Sequence, residues 1–146
     1  MATDWQTATD TLRLAAQLVD GIQAGLAKRG FTDVRPVHGF AFAALSSGDT
    51  TTARLAGALG ITKQAAAQLV DHLASHGYLT RRPDPCDGRA QLLVLTDRGH
   101  ACTAAAEQSA ADAVGGWRTS LPAPVFAAFT QALGTLAEPG RLRPAW

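Results

Sequence analysis

The chain has 146 residues, 47% of them hydrophobic, with thirteen basic and twelve acidic side chains and two cysteines. That length can bury a core without covalent staples, two cysteines are too few for a disulfide framework, and no apolar run reaches the roughly 20 residues of a bilayer span. The net charge of +1 gives no broad basic footprint of the kind that marks many nucleic-acid-binding domains. Only residues 50–100 lean basic, by +2, against −1 for residues 1–49 and 0 for residues 101–146. Asp4 and Asp10 flank only short apolar stretches, which is not the pattern of a signal peptide, so a soluble cytoplasmic protein is expected.

From Asp4 to Arg29, Leu12, Ala16, Val19, Ile22 and Leu26 recur at three- and four-residue steps, the stripe of one long amphipathic helix that Gly30 ends. Pro36 suits a first helical turn, and Val37, Phe40, Ala41, Ala44 and Leu45 make a short apolar helix before the turn tract SSGDT. Thr51 or Thr52 can cap a third helix that stops at Gly60, and Thr62 a fourth whose buried side is Ala66, Leu69, Val70 and Leu73, closed by Gly77.

YLTRR and QLLVLT are the two strand-like runs and predict an antiparallel hairpin. The eight residues between them, Pro83 to Ala90, hold two prolines and a glycine and are expected to form a long loop. Thr96 then caps a helix to about Val114, and the PAP tract at 122–124 opens a last one carrying Val125, Phe126, Phe129, Leu133 and Leu136. There are no internal repeats and no low-complexity linker.

Two short helices joined by LGIT have helix-turn-helix geometry, and a hairpin directly after them makes a winged helix. The predicted class is mainly α with a small β-hairpin wing. Residues 36–96 form the winged helix-turn-helix lobe, and residues 1–35 and 97–146 a helical platform.

The stretch LAGALGITKQAAAQLVDHLASHGYLTRRPDPCDGRAQLLVLTDRG resembles the DNA-binding core of the MarR family of bacterial transcriptional regulators, most diagnostically in DGRAQLLVLTDRG, which matches the family's Asp-x-Arg wing motif. The flanking helices are similar in length and placement to that family's dimerisation helices. The resemblance implies a homodimer that binds a pseudo-palindromic operator in double-stranded DNA, a repressor released by a small aromatic or phenolic effector. No cofactor is implied.

Thr62, Lys63, Gln64, Ala65 and Gln68 begin the second helix of the motif. A helix N-terminus with a lysine favours a phosphate, glutamine can pair with adenine, and alanine can touch a thymine methyl. The bland alternative is a solvated helix face. The family often places Thr or Ser and then an arginine where Ala65, Ala67 and Gln68 stand, so this surface is unusually neutral. By resemblance Arg89 would enter the minor groove with Asp87 orienting it, where a narrow A·T groove attracts arginine. Arg81 and Arg82 would meet phosphates, or simply protect a solvated edge strand.

His38 and Phe42 lie near where the family forms a ligand cleft, although a hydrogen-bonded core histidine is the plainer reading of His38. His72 and His76 stand four apart, with His100 and Cys102 further on, so a metal-sensing repressor is one alternative, yet no carboxylate-rich or Cys-x-x-Cys motif accompanies them. Cys86 has Asp87 beside it, which works against a nucleophilic thiolate, and Cys102 reads as a small buried residue. Trp5, Trp117 and Trp146 are candidate interface or core aromatics. A winged-helix protein-interaction module without DNA binding is the other alternative. No Ser-His-Asp order, phosphate loop or metal motif points to an enzyme.

Overall fold

The computed structural model describes residues 1–138, so Trp146 and the last eight residues of the expected platform lie outside the described residues. Nine elements follow one another: α1 (Asp4–Lys28), α2 (Pro36–Ser46), β1 (Thr50–Thr51), α3 (Thr52–Leu59), α4 (Lys63–Ser75), β2 (Leu79–Asp84), β3 (Asp87–Leu95), α5 (Asp97–Ser120) and α6 (Ala123–Leu136). Threonine hydroxyls set most of the helix starts. Thr3, Thr51, Thr62 and Thr96 each accept a backbone N–H from the first turn that follows, which satisfies one donor the helix itself cannot. Gly60 and Gly77 end α3 and α4 at φ +67° and +79°, a region that side-chain-bearing residues rarely adopt.

The wing differs from the expected long loop. Strand pairing runs on through Pro83↔Gln91 to Asp84↔Asp87, with an irregularity at Pro83/Asp84, leaving only Pro85 and Cys86 in the turn. The strand order is β1-β3-β2, so β2 is an edge, and a proline there removes no ladder donor. The third strand, β1, pairs Thr50 with Leu93 and Thr51 with Leu92. Thr51 therefore serves both a strand and the α3 cap, and the cap falls on Thr51 rather than Thr52. Helix α5 runs to Ser120, beyond the expected end near Val114. It crosses Gly115 and Gly116, and Trp117 one residue on packs edge-to-face on Phe129 of α6 with ring centroids 6.0 Å apart, tertiary packing that outweighs the weak helix propensity of glycine.

One core joins α1, α2, α3, α4, the wing strands and α5 around Leu26, Phe42, Leu55, Leu73, Tyr78, Leu93 and Cys102. Helices α1 and α5 make the platform. A Cβ at Gly25 would sit 2.3 Å from the Ser109 hydroxyl oxygen, so only glycine allows so close a crossing. Arg29 locks the crossing, donating to Ser109 at 3.2 Å and to Asp112 at 2.8 Å.

The lobe meets the platform at Tyr78. Its carbonyl accepts the Thr96 N–H at 3.1 Å, its hydroxyl donates to Asp33 and accepts from Arg98 at 3.0 Å, and Arg98 also reaches Asp33 at 3.3 Å. The Arg98 guanidinium lies over the tyrosine ring, 4.5 Å from its centroid. Partial burial pushes the Asp33 carboxyl up, but the bond from Tyr78, a backbone N–H and Arg98 outweigh it and hold the group below its ordinary range. Burial first, and Asp33 second, push the Tyr78 hydroxyl well above its usual value, so it stays a proton donor.

A Cβ at Gly99 would lie 2.2 Å from the Tyr78 carbonyl oxygen. Gly99→Ala should therefore destabilise the protein by about 1–3 kcal/mol through overpacking against backbone. At Gly57, exposed on α3, an added Cβ meets nothing within 4 Å, and Gly57→Ala should stabilise by up to about 1 kcal/mol. Urea denaturation of the two variants measures both; equal effects would contradict the packing account. Tyr78→Phe should cost about 1–3 kcal/mol, because it leaves Asp33 and Arg98 without the shared hydroxyl.

Candidate nucleic-acid interface

Helices α3 and α4 are joined by Gly60, Ile61 and Thr62, with the Ile61 N–H donating to the Ala56 carbonyl at 3.1 Å. Leu55, Ala56 and Leu59 of α3 and Ala66, Leu69, Val70 and Leu73 of α4 are buried, which fixes the rotation of α4 about its axis. The opposite face is then set. Lys63, Gln64, Ala67 and Gln68 are exposed and Ala65 is half-buried. The Thr62 hydroxyl accepts the Ala65 N–H at 3.1 Å, so the cap is made within the helix. Gln64 and Gln68 stand one turn apart on the open side, as the sequence places them.

The wing lies beside this helix. At its tip the Asp84 carboxylate accepts the Cys86 N–H at 2.8 Å, and the Asp87 carboxylate accepts the Arg89 backbone N–H at 3.0 Å. The expected pairing of Asp87 with the Arg89 guanidinium is thus replaced by a backbone bond: a side chain two residues earlier shapes the turn and leaves the exposed Arg89 side chain pointing its own way. At the wing base Arg81 pairs with Asp71 of α4, and Arg82 with Asp49 before β1. Sequence reasoning missed both carboxylates. They lie ten and thirty-three residues away in the sequence, in no shared motif, and only the fold brings them to the arginines. Such exposed pairs contribute little to stability, but they fasten the wing base to its neighbours, and a phosphate would have to displace the carboxylate.

His38 and Phe42 point inward. Both are buried, and the Phe42 ring packs edge-to-face on Tyr78 at 5.4 Å. His38 Nδ1 accepts the Arg35 N–H at 2.9 Å, an internal cap for α2. Its ring stacks on His72 at 4.3 Å, which stacks on His76 at 4.1 Å. Rings stacked face to face do not converge on an ion, and among the described residues no group of three or more His, Cys, Asp or Glu is placed to hold a metal. Cys102 is buried, and burial pushes its thiol up to about 11, so it is no nucleophile. Cys86 is exposed at the wing tip.

An open cleft of about 170 Å³ lies between α1, α2 and α5. Val19, Ile22, Leu26, Phe40 and Ala106 supply apolar walls and Gln23 a polar group, whereas His38 and Phe42 do not line it. The signal for these residues was present in the α1 stripe, but their role in core packing is identical in pattern to a role in a cleft.

The MarR family model matches residues 32–90, from the connection before α2 to the wing. No curated protein matches the chain significantly. Among solved structures, Rv1404 from Mycobacterium tuberculosis is 22% identical with a TM-score of 0.80, the match covering 96% of this chain and 97% of that one. A mutant MarR from E. coli complexed with operator DNA is 20% identical with a TM-score of 0.69, over 90% and 93% of the two chains. The MarR family protein Rv2887 of Mycobacterium tuberculosis, in complex with salicylic acid, is 25% identical with a TM-score of 0.66, over 94% and 98%. No helix among the described residues is long and apolar enough to cross a membrane. The winged-helix lobe of this chain is a MarR-family domain, and the chain as a whole has the fold of MarR-family transcription regulators.

Proposed function

We propose that the protein is a homodimeric, sequence-specific DNA-binding repressor released by a small aromatic effector. The observation that carries the reading is the face of α4, where Lys63, Gln64 and Gln68 are exposed beside a two-strand wing bearing Arg89. Residues 36–96 are the reading lobe, and residues 1–35 with 97–146 the dimerisation region. In this reading α4 enters a major groove. Gln64 and Gln68 pair with base edges, Ala65 touches a thymine methyl, and the Thr62–Lys63 turn meets a phosphate. The wing follows the backbone, with Asp87 shaping the tip, Arg89 in the adjacent minor groove, and Arg81 and Arg82 exchanging Asp71 and Asp49 for phosphates. The operator complex of the E. coli relative supports this reading.

Dimerisation is proposed from unpaired apolar surface. Trp5 and Leu12 on α1 and Val125, Leu133 and Leu136 on α6 are exposed, and no residue of α6 is buried. Helices with that pattern need a partner. The effector is assigned to the apolar cleft between α1, α2 and α5, and the salicylic acid complex of Rv2887 supports a small aromatic molecule as its class. A ligand seated on Gly39 and Phe40 would move α2, and with it His38 and Phe42 on the inward face of the same helix. It releases DNA only by binding one spacing of the two lobes more tightly than the other.

Gln68→Ala should cost on the order of 1–3 kcal/mol on a selected operator and leave random DNA nearly unaffected, whereas Lys63→Ala should weaken both together. Titrations by fluorescence anisotropy on the two DNAs decide between them, and equal losses in every combination would contradict the division of roles. Light scattering at micromolar concentration should give the mass of two chains; a monomer contradicts the proposed assembly.

A further inference from the structure

On the flank of α4, continuing the line of Gln64 and Gln68, stands the stack of buried His38, half-buried His72 and exposed His76, which ties α2 to the C-terminal end of that helix. Only His38 makes a bond that requires the neutral ring. His38 uses Nδ1 as an acceptor for the Arg35 N–H, so its proton sits on Nε2. His72 Nε2 donates to the Asp33 carbonyl at 3.2 Å, and His76 Nδ1 donates to the His72 carbonyl at 2.7 Å. Such a contact is reached only when α2, α4 and the 29–35 connection are in place together.

A proton on His38 Nδ1 would destroy the acceptor that caps α2 and set a buried cation against its neighbours. Facing the stack are Arg35 and Asp33 from the connection, His72 and His76 from α4, Tyr78 at the start of the wing, and Arg98 from α5, whose Nε donates to the His76 carbonyl at 3.1 Å. Asp33 is the one carboxylate among these, and its side chain is already bound by Tyr78 and Arg98.

We propose that the His38–His72–His76 stack is a proton-sensitive latch that holds the far end of α4 against α2 and releases it in acid. His76 lies about 14 residues, roughly 20 Å along the helix, from the Thr62 end, so the latch acts on the position of α4 and not by touching DNA. It rests on the DNA-binding reading for its purpose, and on the stack alone for its chemistry.

Burial, then His72, Arg35 and His76, with Asp33 opposing, push the His38 imidazole down from 6.5 to about 4. A group depressed in the closed form takes its proton on opening, so the closed form is fully favoured above about 6.5 and loses ground as pH falls from there toward about 4. Between about pH 7.5 and 5.5 the ratio of open to closed should rise about 10-fold.

Hydrogen exchange of the α2 and α4 amides in the DNA-free protein, corrected for intrinsic rates, reads that ratio. His38→Gln is the control, because glutamine at the third helical position can accept the same N-cap N–H and cannot be protonated. The latch predicts a rise of about 10-fold in wild type, confined to α2 and α4, and less than about 2-fold in H38Q. No rise in wild type, the same rise in H38Q, or an equal rise in α1 and α5 overturns it. Should H38Q not fold, nitrogen NMR of the wild-type imidazoles decides: His38 bare at Nδ1 and neutral near pH 6 supports the latch, a charged His38 there refutes it. Neither measurement uses DNA, so a failure to bind any operator would remove the DNA reading while the latch stood or fell on exchange.

Discussion

Tyr78 is where the chain commits lobe to platform. In one residue, the backbone carbonyl takes the Thr96 N–H that starts α5, the hydroxyl joins Asp33 to Arg98, and the ring lies under that guanidinium. Gly99 allows α5 to pass within contact of that carbonyl. The consequence is geometric: α4 ends three residues before Tyr78 and α5 begins nineteen after it, yet both are fixed to the same residue, α4 through the Leu73 carbonyl, which accepts the Tyr78 N–H at 2.9 Å. Any displacement of the platform relative to the lobe must break or carry this junction. That makes α4 and the helices α1 and α5 mechanically one system, as the proposed ligand response requires.

The charge distribution around the proposed DNA face is sparing. Arg81 and Arg82 must give up carboxylate partners before they can meet phosphates, and the other exposed cations of the lobe are Arg54, Lys63 and Arg89. A protein that neutralises few phosphates binds non-specific DNA weakly and loses little affinity as salt rises. In the proposed reading, base contacts through Gln64 and Gln68 then supply a larger share of the binding free energy. The neutral recognition face is thus compatible with sequence-specific binding, and it shifts the balance from electrostatic attraction toward hydrogen-bond readout.

Helix starts and stops were legible because each has a local cause. Thr62 and Thr96 cap, and Gly60 and Gly77 take left-handed backbone, through bonds within a few residues. The α4 face was legible for the same reason, since its apolar side fixes its polar side. The wing tip was not. Prolines at 83 and 85 look like a loop until one knows that β2 is an edge strand. Nor could β1 be read, because two residues show no alternation, or the run of α5 through Gly115–Gly116, which depends on Trp117 meeting Phe129. The partners Asp33, Asp49 and Asp71, and His38 beside the His72–His76 pair, are close only in space. His38 was legible as a hydrogen-bonded core residue, since its partner is three residues away, while its place in a stack with His72 was not.

The central claim is that α4 and the wing read a specific duplex as a symmetric pair. Selection of binding sites from a random DNA pool, followed by hydroxyl-radical footprinting of the enriched sequence, tests it most directly. The account predicts a pseudo-palindrome with two half-sites about one helical turn apart, roughly 34–36 Å, and protection extending into the minor grooves flanking them. A pool that does not enrich, or a footprint with a single half-site and no flanking protection, would contradict it.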